Sequence, residues 1–343
     1  MQVAEPKSDA VSGPGPDEKV LEVSDLHVEF RTTGGLVRAV NGISYSVSPG
    51  KTLAILGESG SGKTVSSQAL MGLLDSPPAF ITKGQALYRG RDLLKLKERD
   101  LRAIRGHKIA MIFQDALSSL NPVYPVGDQI AEMYRIHLDI PRSEANRRAL
   151  EVLDRVRIPS AKDRFKQYPH QFSGGMRQRA MIAVAIALNP EVLIADEPTT
   201  ALDVTVQAQI MNLLKTLQDE TGMALVLITH DLGVVAETAD DVVVMYAGKV
   251  VEAGPISAVF TKPAHPYTLG LMRSIPNAHR RTAELTAIGG TPPNLARIPV
   301  GCPFHPRCRF RRERCWNEEP PEYDVSPGRT SACHFYEEIL GES

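Results

Sequence analysis

Short apolar runs alternate with amphipathic stretches along most of the chain. Leu21, Val23, Leu26, Val28 and Phe30 fit a half-buried strand imperfectly, and Val37 to Val47 adds β-favouring residues, with Asn41-Gly42 reading as a turn signal. Ser48-Pro49-Gly50-Lys51 reads as a β-turn leading into Thr52-Leu53-Ala54-Ile55-Leu56, the continuous apolar run of a strand buried on both faces. A Gly-rich loop follows, then a helical pattern from Lys63 to Leu74, and Lys108 to Phe113 is another buried strand. Between about residues 116 and 172 the character changes: 129–137 and 143–156 carry helical spacing with no strong strand between them, which predicts an inserted helical subdomain. Strand–helix alternation resumes with Glu191–Ala195, Thr205–Glu220, Ala224–Thr229 and Asp241–Tyr246, which argues for an α/β fold with helices on a parallel sheet. The chain thus divides into a leader over 1–19, a main domain over 20–254 and a Pro-rich, irregular extension over 255–343.

Composition narrows the picture only slightly. Of 343 residues, 43% are hydrophobic and 23% charged, as in ordinary globular proteins, and a net charge of −1 gives no support for non-specific nucleic-acid binding. No apolar run approaches the roughly 18–20 residues a membrane-spanning helix needs. The polar, Pro/Gly-rich start, MQVAEPKSDAVSGPGPDEK, lacks a signal pattern and reads as disordered. The expected location is therefore cytoplasmic, with any membrane association made through a partner.

The chemistry starts at GESGSGKT, Gly57 to Thr64, which fits G-x-x-x-x-G-K-[ST] between a buried strand and a helix. Gly57, Gly60 and Gly62, with Ser59 and Ser61, let successive amides turn inward onto phosphate. Lys63 reaches the β/γ oxygens, Thr64 offers its hydroxyl to Mg²⁺, and Val65, next along, is counted with the cofactor-binding residues. VLIADEP, Val192 to Pro198, ends a strand in two carboxylates: Asp196 for Mg²⁺ and Glu197 for polarising the attacking water. His230, closing LVLITH, and Gln114, closing MIFQ, fall at equivalent strand ends, the edge where open α/β sheets bind ligands. His230 is a candidate γ-phosphate contact, and Gln114 one for Mg²⁺ or the water. Ser173-Gly174-Gly175 reads as a capped helix start whose amides can bind an anion, with the helix running to about Leu188.

Taken in order, GESGSGKT, Gln114, FSGGM, VLIAD with Glu197, TTALD around Asp203, and His230 resemble the ATP-binding-cassette family over about residues 20–254. The resemblance implies a P-loop NTPase nucleotide-binding domain: a RecA-like core with an antiparallel β subdomain and the inserted helical subdomain. It further implies that Ser173, Gly174 and Gly175 bind ATP held by a second subunit, although Phe172 and Met176 depart from the usual LSGGQ, and that Asp203, in the D-loop, belongs to the cofactor-binding residues. In this family an aromatic near the N-terminal strands stacks on adenine, and Phe30 is the candidate by position, against a plain core phenylalanine. FQDALSSLNPVYPVGDQI, HPYTLGLMRSIP and GCPFHPRC resemble segments of dipeptide/oligopeptide and nickel importer ATPases. That implies an ATPase subunit peripheral to the cytoplasmic face of the membrane. Its partners would be a paralogous second ATPase, two transmembrane permease subunits and an extracytoplasmic substrate-binding protein. Soluble cassette proteins of DNA repair carry long insertions, and ribosomal ones carry two cassettes; neither is found here. Glu197 and His230 argue against a catalytically silent cassette.

All the cysteines, Cys302, Cys308, Cys315 and Cys333, fall in the extension with spacing C-x5-C-x6-C-x17-C. Zinc sites usually open with closer pairs, whereas the wider spacing is compatible with Cys₄ ligation of an iron–sulfur cluster. The importer resemblance also favours [4Fe–4S]. Zn²⁺, with His305 or His334 as substitutes, and unmetallated thiols stay open. Arg307, Arg309, Arg311, Arg312 and Arg314 around them would offset cluster charge, contact a partner or be solvated.

Overall fold

The computed structural model describes residues 18–115, 119–200, 202–274 and 288–342; the leader expected over 1–19 lies almost wholly outside them. β1 (Leu21–Thr32) and β2 (Gly35–Val47) form an antiparallel hairpin. The imperfect alternation of β1 has a structural cause. Register shifts interrupt the pairing between Val23 and His27, and Asp25 sits at φ 48°. Asn41-Gly42 is not a turn: β2 runs through it, and Gly42 at φ 79° is the extra residue opposite the shift. β3 (Thr52–Leu56), buried throughout, leads to α1 (Lys63–Leu70), which stops short of the expected Leu74 because Gly72 turns left-handed. β4 (Ala79–Tyr88) and β5 (Arg91–Asp92) complete a four-stranded antiparallel sheet of order β2-β1-β4-β5.

After α2 (Glu98–Ile104) and β6 (Ile109–Ile112) comes the helical insertion: α3 (Val126–Leu138), α4 (Arg142–Arg155) and α5 (Ala161–Arg164). Ile130, Tyr134, Ala149, Val152 and Leu153 from these helices share one apolar core with α6 (Gly174–Ile186) and one face of the main sheet. β7 (Val192–Asp196), α7 (Val204–Thr221), β8 (Ala224–Thr229), α8 (Leu232–Thr238) and β9 (Asp241–Tyr246) then alternate as the pattern predicted. Strands β9-β3-β8-β7-β6 pair in parallel.

The extension departs from expectation. Residues 288–304 carry no helix or strand, as the Pro-rich composition suggests, but the other described residues of the extension enter the fold. β10 (Lys249–Pro255) turns back antiparallel on β9, α9 (Ile256–Thr261) and α10 (Pro266–Arg273) follow, and after α11 (Glu313–Asn317) the strands β11 (Tyr323–Ser326) and β12 (Arg329–Ser331) join β10. α12 (Tyr336–Gly341) closes the described chain. The tail thereby becomes the edge of an eight-stranded sheet. A buried ion pair fastens it: Arg329 donates to Glu252 at 2.8 Å, and the same carboxylate accepts the Ala264 and His265 amides.

Candidate active site

Parallel register sets the site. Leu56 lies opposite Thr229, and Asp196 opposite Ile228, so the loops after β3, β7 and β8 leave one edge of the sheet together. The phosphate loop 57–64 packs so closely on its neighbours that two of its positions admit only glycine. Gly57 has φ 155°, and a Cβ there would lie 2.3 Å from the Met245 carbonyl oxygen; at Gly62, φ 101°, it would lie 2.2 Å from that of Ala39. Gly62 caps α1 without a side-chain acceptor, leaving the first amides of the helix to another anion. Ser59 and Gly60 are exposed, and the buried Ser61 hydroxyl has no protein partner. Buried Lys63 donates from Nζ to the Gly57 and Glu58 carbonyls at 2.8 and 3.0 Å. Desolvation pushes its ammonium below the usual lysine range, opposed by the charges of Glu197, Asp196 and Glu58.

The Thr64 hydroxyl donates to Asp196 Oδ1 at 3.1 Å. Burial raises the Asp196 carboxyl above its usual range against that hydrogen bond, which is the setting a hard divalent cation would relieve. The two oxygens fit part of a Mg²⁺ shell. Next along, Glu197 takes a left-handed φ of 46°, with its amide bonded to the Ile228 carbonyl at 2.8 Å, so its side chain diverges from that of Asp196. Glu197 Oε2 accepts from Gln114 Nε2 at 2.9 Å and from Thr200 Oγ1 at 2.8 Å, and Oε1 faces His230 Nδ1 at 3.3 Å. Gln114, Glu197 and His230, far apart in sequence, are thus one constellation; the Gln114 amide is engaged with Glu197. Thr200 was not anticipated, although the TT of DEPTT marked a hydroxyl three residues on.

Other anticipated residues lie elsewhere. Ser173 caps α6, accepting from the Met176 amide at 3.4 Å, and Asp203 caps α7, accepting from the Val206 amide at 2.9 Å. The two caps adjoin: a Cβ on Gly175 would meet Val206 at 2.9 Å, and Gly174 faces Leu202. Ser173 and Gly174 are exposed, and among the described residues no hydrogen bond joins Ser173–Gly175 to the loop 57–64. Phe30 and Val65 are half-buried against the core that backs the antiparallel sheet, Phe30 opposite Val37 and Ala79.

In the extension, Cys302, Cys308, Cys315 and Cys333 line one small cavity with Phe304, Phe310 and Phe335 at its walls. Burial raises the Cys302 thiol, and pushes Cys308 up to about 11 and Cys333 up to about 12. The expected ligand set is met only as far as convergence: among the described residues no three His, Cys, Asp or Glu side chains are grouped to hold a metal ion. Both His334 ring nitrogens contact protein oxygens, Tyr323 Oη and the Glu318 carbonyl, whereas His305 contacts the Cys302 carbonyl through Nδ1 alone. Arg311, Arg312 and Arg314 brace the segment through Pro306, Glu338 and Glu318, and Arg309 lies over Phe310. Arg307 instead reaches back to Glu58 in the phosphate loop, an attachment that local sequence did not signal.

A phosphate loop, a strand-end Asp-Glu pair with Gln114 and His230 around the glutamate, and an exposed capped Ser-Gly-Gly turn define the ATPase of a transport cassette. Residues 40–200 match the family model for the ABC transporter, and residues 251–315 that for the C-terminal region of oligopeptide/dipeptide transporters. The oligopeptide transport ATP-binding protein OppD of Salmonella typhimurium is 50% identical over 324 residues, covering 94% of this chain and 96% of the relative. The dipeptide transport ATP-binding protein DppD of Bacillus subtilis is 51% identical over 316 residues, covering 92% and 94%. The chain belongs to this family of ABC transporter ATP-binding proteins. Among solved structures, the dimeric ATP-binding cassette MJ0796 in a post-hydrolysis state with ADP and Pi superposes with TM-score 0.62 at 26% identity, covering 69% of this chain and 98% of that one. The cassette cbiO1 from Clostridium perfringens gives 0.60 at 28% identity, covering 71% and 92%. No helix among the described residues is long and apolar enough to cross a membrane.

Proposed function

We propose that this chain is the ATP-hydrolysing subunit that powers peptide import through an ABC transporter. The observation that carries the reading is the joining of Gln114, Glu197 and His230 beside the Thr64–Asp196 pair at the phosphate-loop edge. The near full-length likeness to oligopeptide and dipeptide transport proteins supports peptides as cargo. Lys63 and the loop amides neutralise and hold the β- and γ-phosphates. Thr64 and Asp196 would hold Mg²⁺, which would supply positive charge to offset that of the phosphates. Glu197 takes a proton from the attacking water. Its Oε1 does so, because Oε2 already accepts two donors. His230, with its side chain 65% exposed, is free to swing onto the γ-phosphate. Gln114 orients Glu197, and Phe30 flanks the adenine.

The exposed Ser173-Gly174-Gly175 turn and Asp203 serve the nucleotide of a paralogous second ATPase, so each pocket is closed by two chains. The pair sits on two permease subunits at the cytoplasmic membrane face, fed by an extracytoplasmic binding protein. Residues 20–254 form the nucleotide domain, and the extension from 255 is its C-terminal support. The four cysteines hold a [4Fe–4S] cluster; their convergence on one cavity supports a shared ligand, and their wide spacing favours iron–sulfur over zinc.

The test is the complex with its permeases in lipid vesicles. Peptide-loaded binding protein is expected to stimulate ATP hydrolysis and ATP-dependent peptide uptake. Stimulation only by a nickel chelate or another small solute overturns the cargo, and an intact complex without hydrolysis overturns the ATPase reading. Anaerobically purified protein is expected to contain iron and acid-labile sulfide; zinc alone, or no metal, removes the cluster.

A further inference from the structure

The phosphate loop has a second anchor that the residues assigned so far do not use. Glu58 follows Gly57, and both its main chain and its side chain are held from the C-terminal extension. Its amide donates to the hydroxyl of buried Tyr267, on α10, at 2.9 Å. Its carboxylate receives a two-pronged contact from Arg307, Nη1 to Oε2 at 2.6 Å and Nη2 to Oε1 at 2.9 Å. Such a fork fixes the plane of a carboxylate as well as its distance. The Arg307 side chain is only 4% exposed. Its Nε donates to the Gly289 carbonyl at 3.0 Å, Nη1 approaches Tyr246 Oη at 3.4 Å, and the guanidinium lies against the Tyr246 and Phe304 rings. Tyr246, Tyr267 and Phe304 pack as one aromatic cluster, with centroids 4.8 to 5.4 Å apart. Arg307 is therefore a rigid strut on a short turn, His305–Arg307, between Cys302 and Cys308.

The strut ends at a consequential place. The Glu58 carbonyl is one of the two oxygens that seat the Lys63 ammonium. An unpaired Glu58 carboxylate would also put negative charge within electrostatic reach of Lys63, at the loop meant to receive an anion.

We propose that Arg307 is a positioning residue for nucleotide binding, fixing Glu58 so that its carbonyl seats Lys63 and its charge does not oppose the triphosphate. This rests on the reading of residues 57–64 as the ATP site.

The test is equilibrium binding of mant-ATP with Mg²⁺ to the full chain, together with KM and kcat of the assembled complex. Arg307→Gln is expected to weaken mant-ATP binding and raise KM for ATP about tenfold, within the usual range of coupling between sites. The value of kcat at saturating ATP stays within about threefold, because the loss falls on binding. If Arg307 acts through Glu58, adding Arg307→Gln to Glu58→Gln costs almost nothing further, a non-additivity that an independent brace does not produce. Unchanged mant-ATP affinity in Arg307→Gln, or fully additive losses in the double variant, overturns the proposal. Should Arg307→Gln not fold, Arg307→Lys keeps the charge without the fork, and wild-type affinity there overturns it equally. A wild-type chain that binds no mant-ATP refutes the site reading itself, an outcome distinct from wild-type binding with an indifferent Arg307.

Discussion

Glu197→Gln separates proton transfer from architecture at this site. The carboxylate has two uses: Oε2 accepts from Gln114 and Thr200, and Oε1 faces His230. An amide has the same shape, and its oxygen can take the Oε2 position and keep both donors. The left-handed backbone at φ 46° and the amide bond to Ile228 do not involve the side chain. Stability should therefore move by no more than about 0.5–1 kcal/mol, as for substitutions that leave packing intact. What the amide cannot do is accept the proton. General-base catalysis is worth about 10²- to 10⁴-fold, or roughly 3–5 kcal/mol of barrier, and kcat should fall by that factor. ATP affinity should be retained, because the lost interaction exists only in the transition state. Phosphate release by the assembled complex at saturating ATP measures the fall. Size-exclusion chromatography with Mg²⁺ and ATP should show ATP-bound pairs accumulating, since they close and cannot turn over. A variant that hydrolyses within about fivefold of wild type would remove Glu197 as the base.

Three further substitutions probe the surrounding structure. Gly62→Ala places a Cβ 2.2 Å from the Ala39 carbonyl at a φ of 101°, so the loop must shift; loss of mant-ATP binding is expected, and wild-type affinity would contradict the geometry. Arg329→Met leaves the fully buried Glu252 carboxylate without its cation and should cost about 3–5 kcal/mol in urea unfolding; a loss below about 1 kcal/mol would show that the tail strands are held mainly by other contacts. Tyr267→Phe leaves the Glu58 amide without its acceptor and should destabilise by about 1–3 kcal/mol on the same assay, whereas an unchanged midpoint would mean that water replaces the hydroxyl.

The parts legible from sequence were those whose physics is local. Thr52–Leu56, Val192–Asp196 and Ala224–Thr229 read as strands because a strand covered on both faces is apolar along its length, with polar residues only at its ends. Lys63, Thr64 and the loop glycines were legible because backbone turned onto phosphate needs glycine at set intervals, and the Ser173 cap because a helix start needs an acceptor; that Asp203 also caps a helix was seen only in the structure. Asn41-Gly42 misled for the complementary reason: a left-handed glycine suits a turn and a bulge equally, and only pairing with β1 decides between them. The grouping of Gln114 with Glu197, and the reach of Arg307 to Glu58, needed the fold, as did the entry of β11 and β12 into the main sheet. The chain order alone carried the strands, the Ser173 cap and the phosphate loop, since each is selected by contacts within a few residues. Tertiary structure alone decided which distant side chain meets which carboxylate, because such pairings depend on strand register and on burial that no local pattern records.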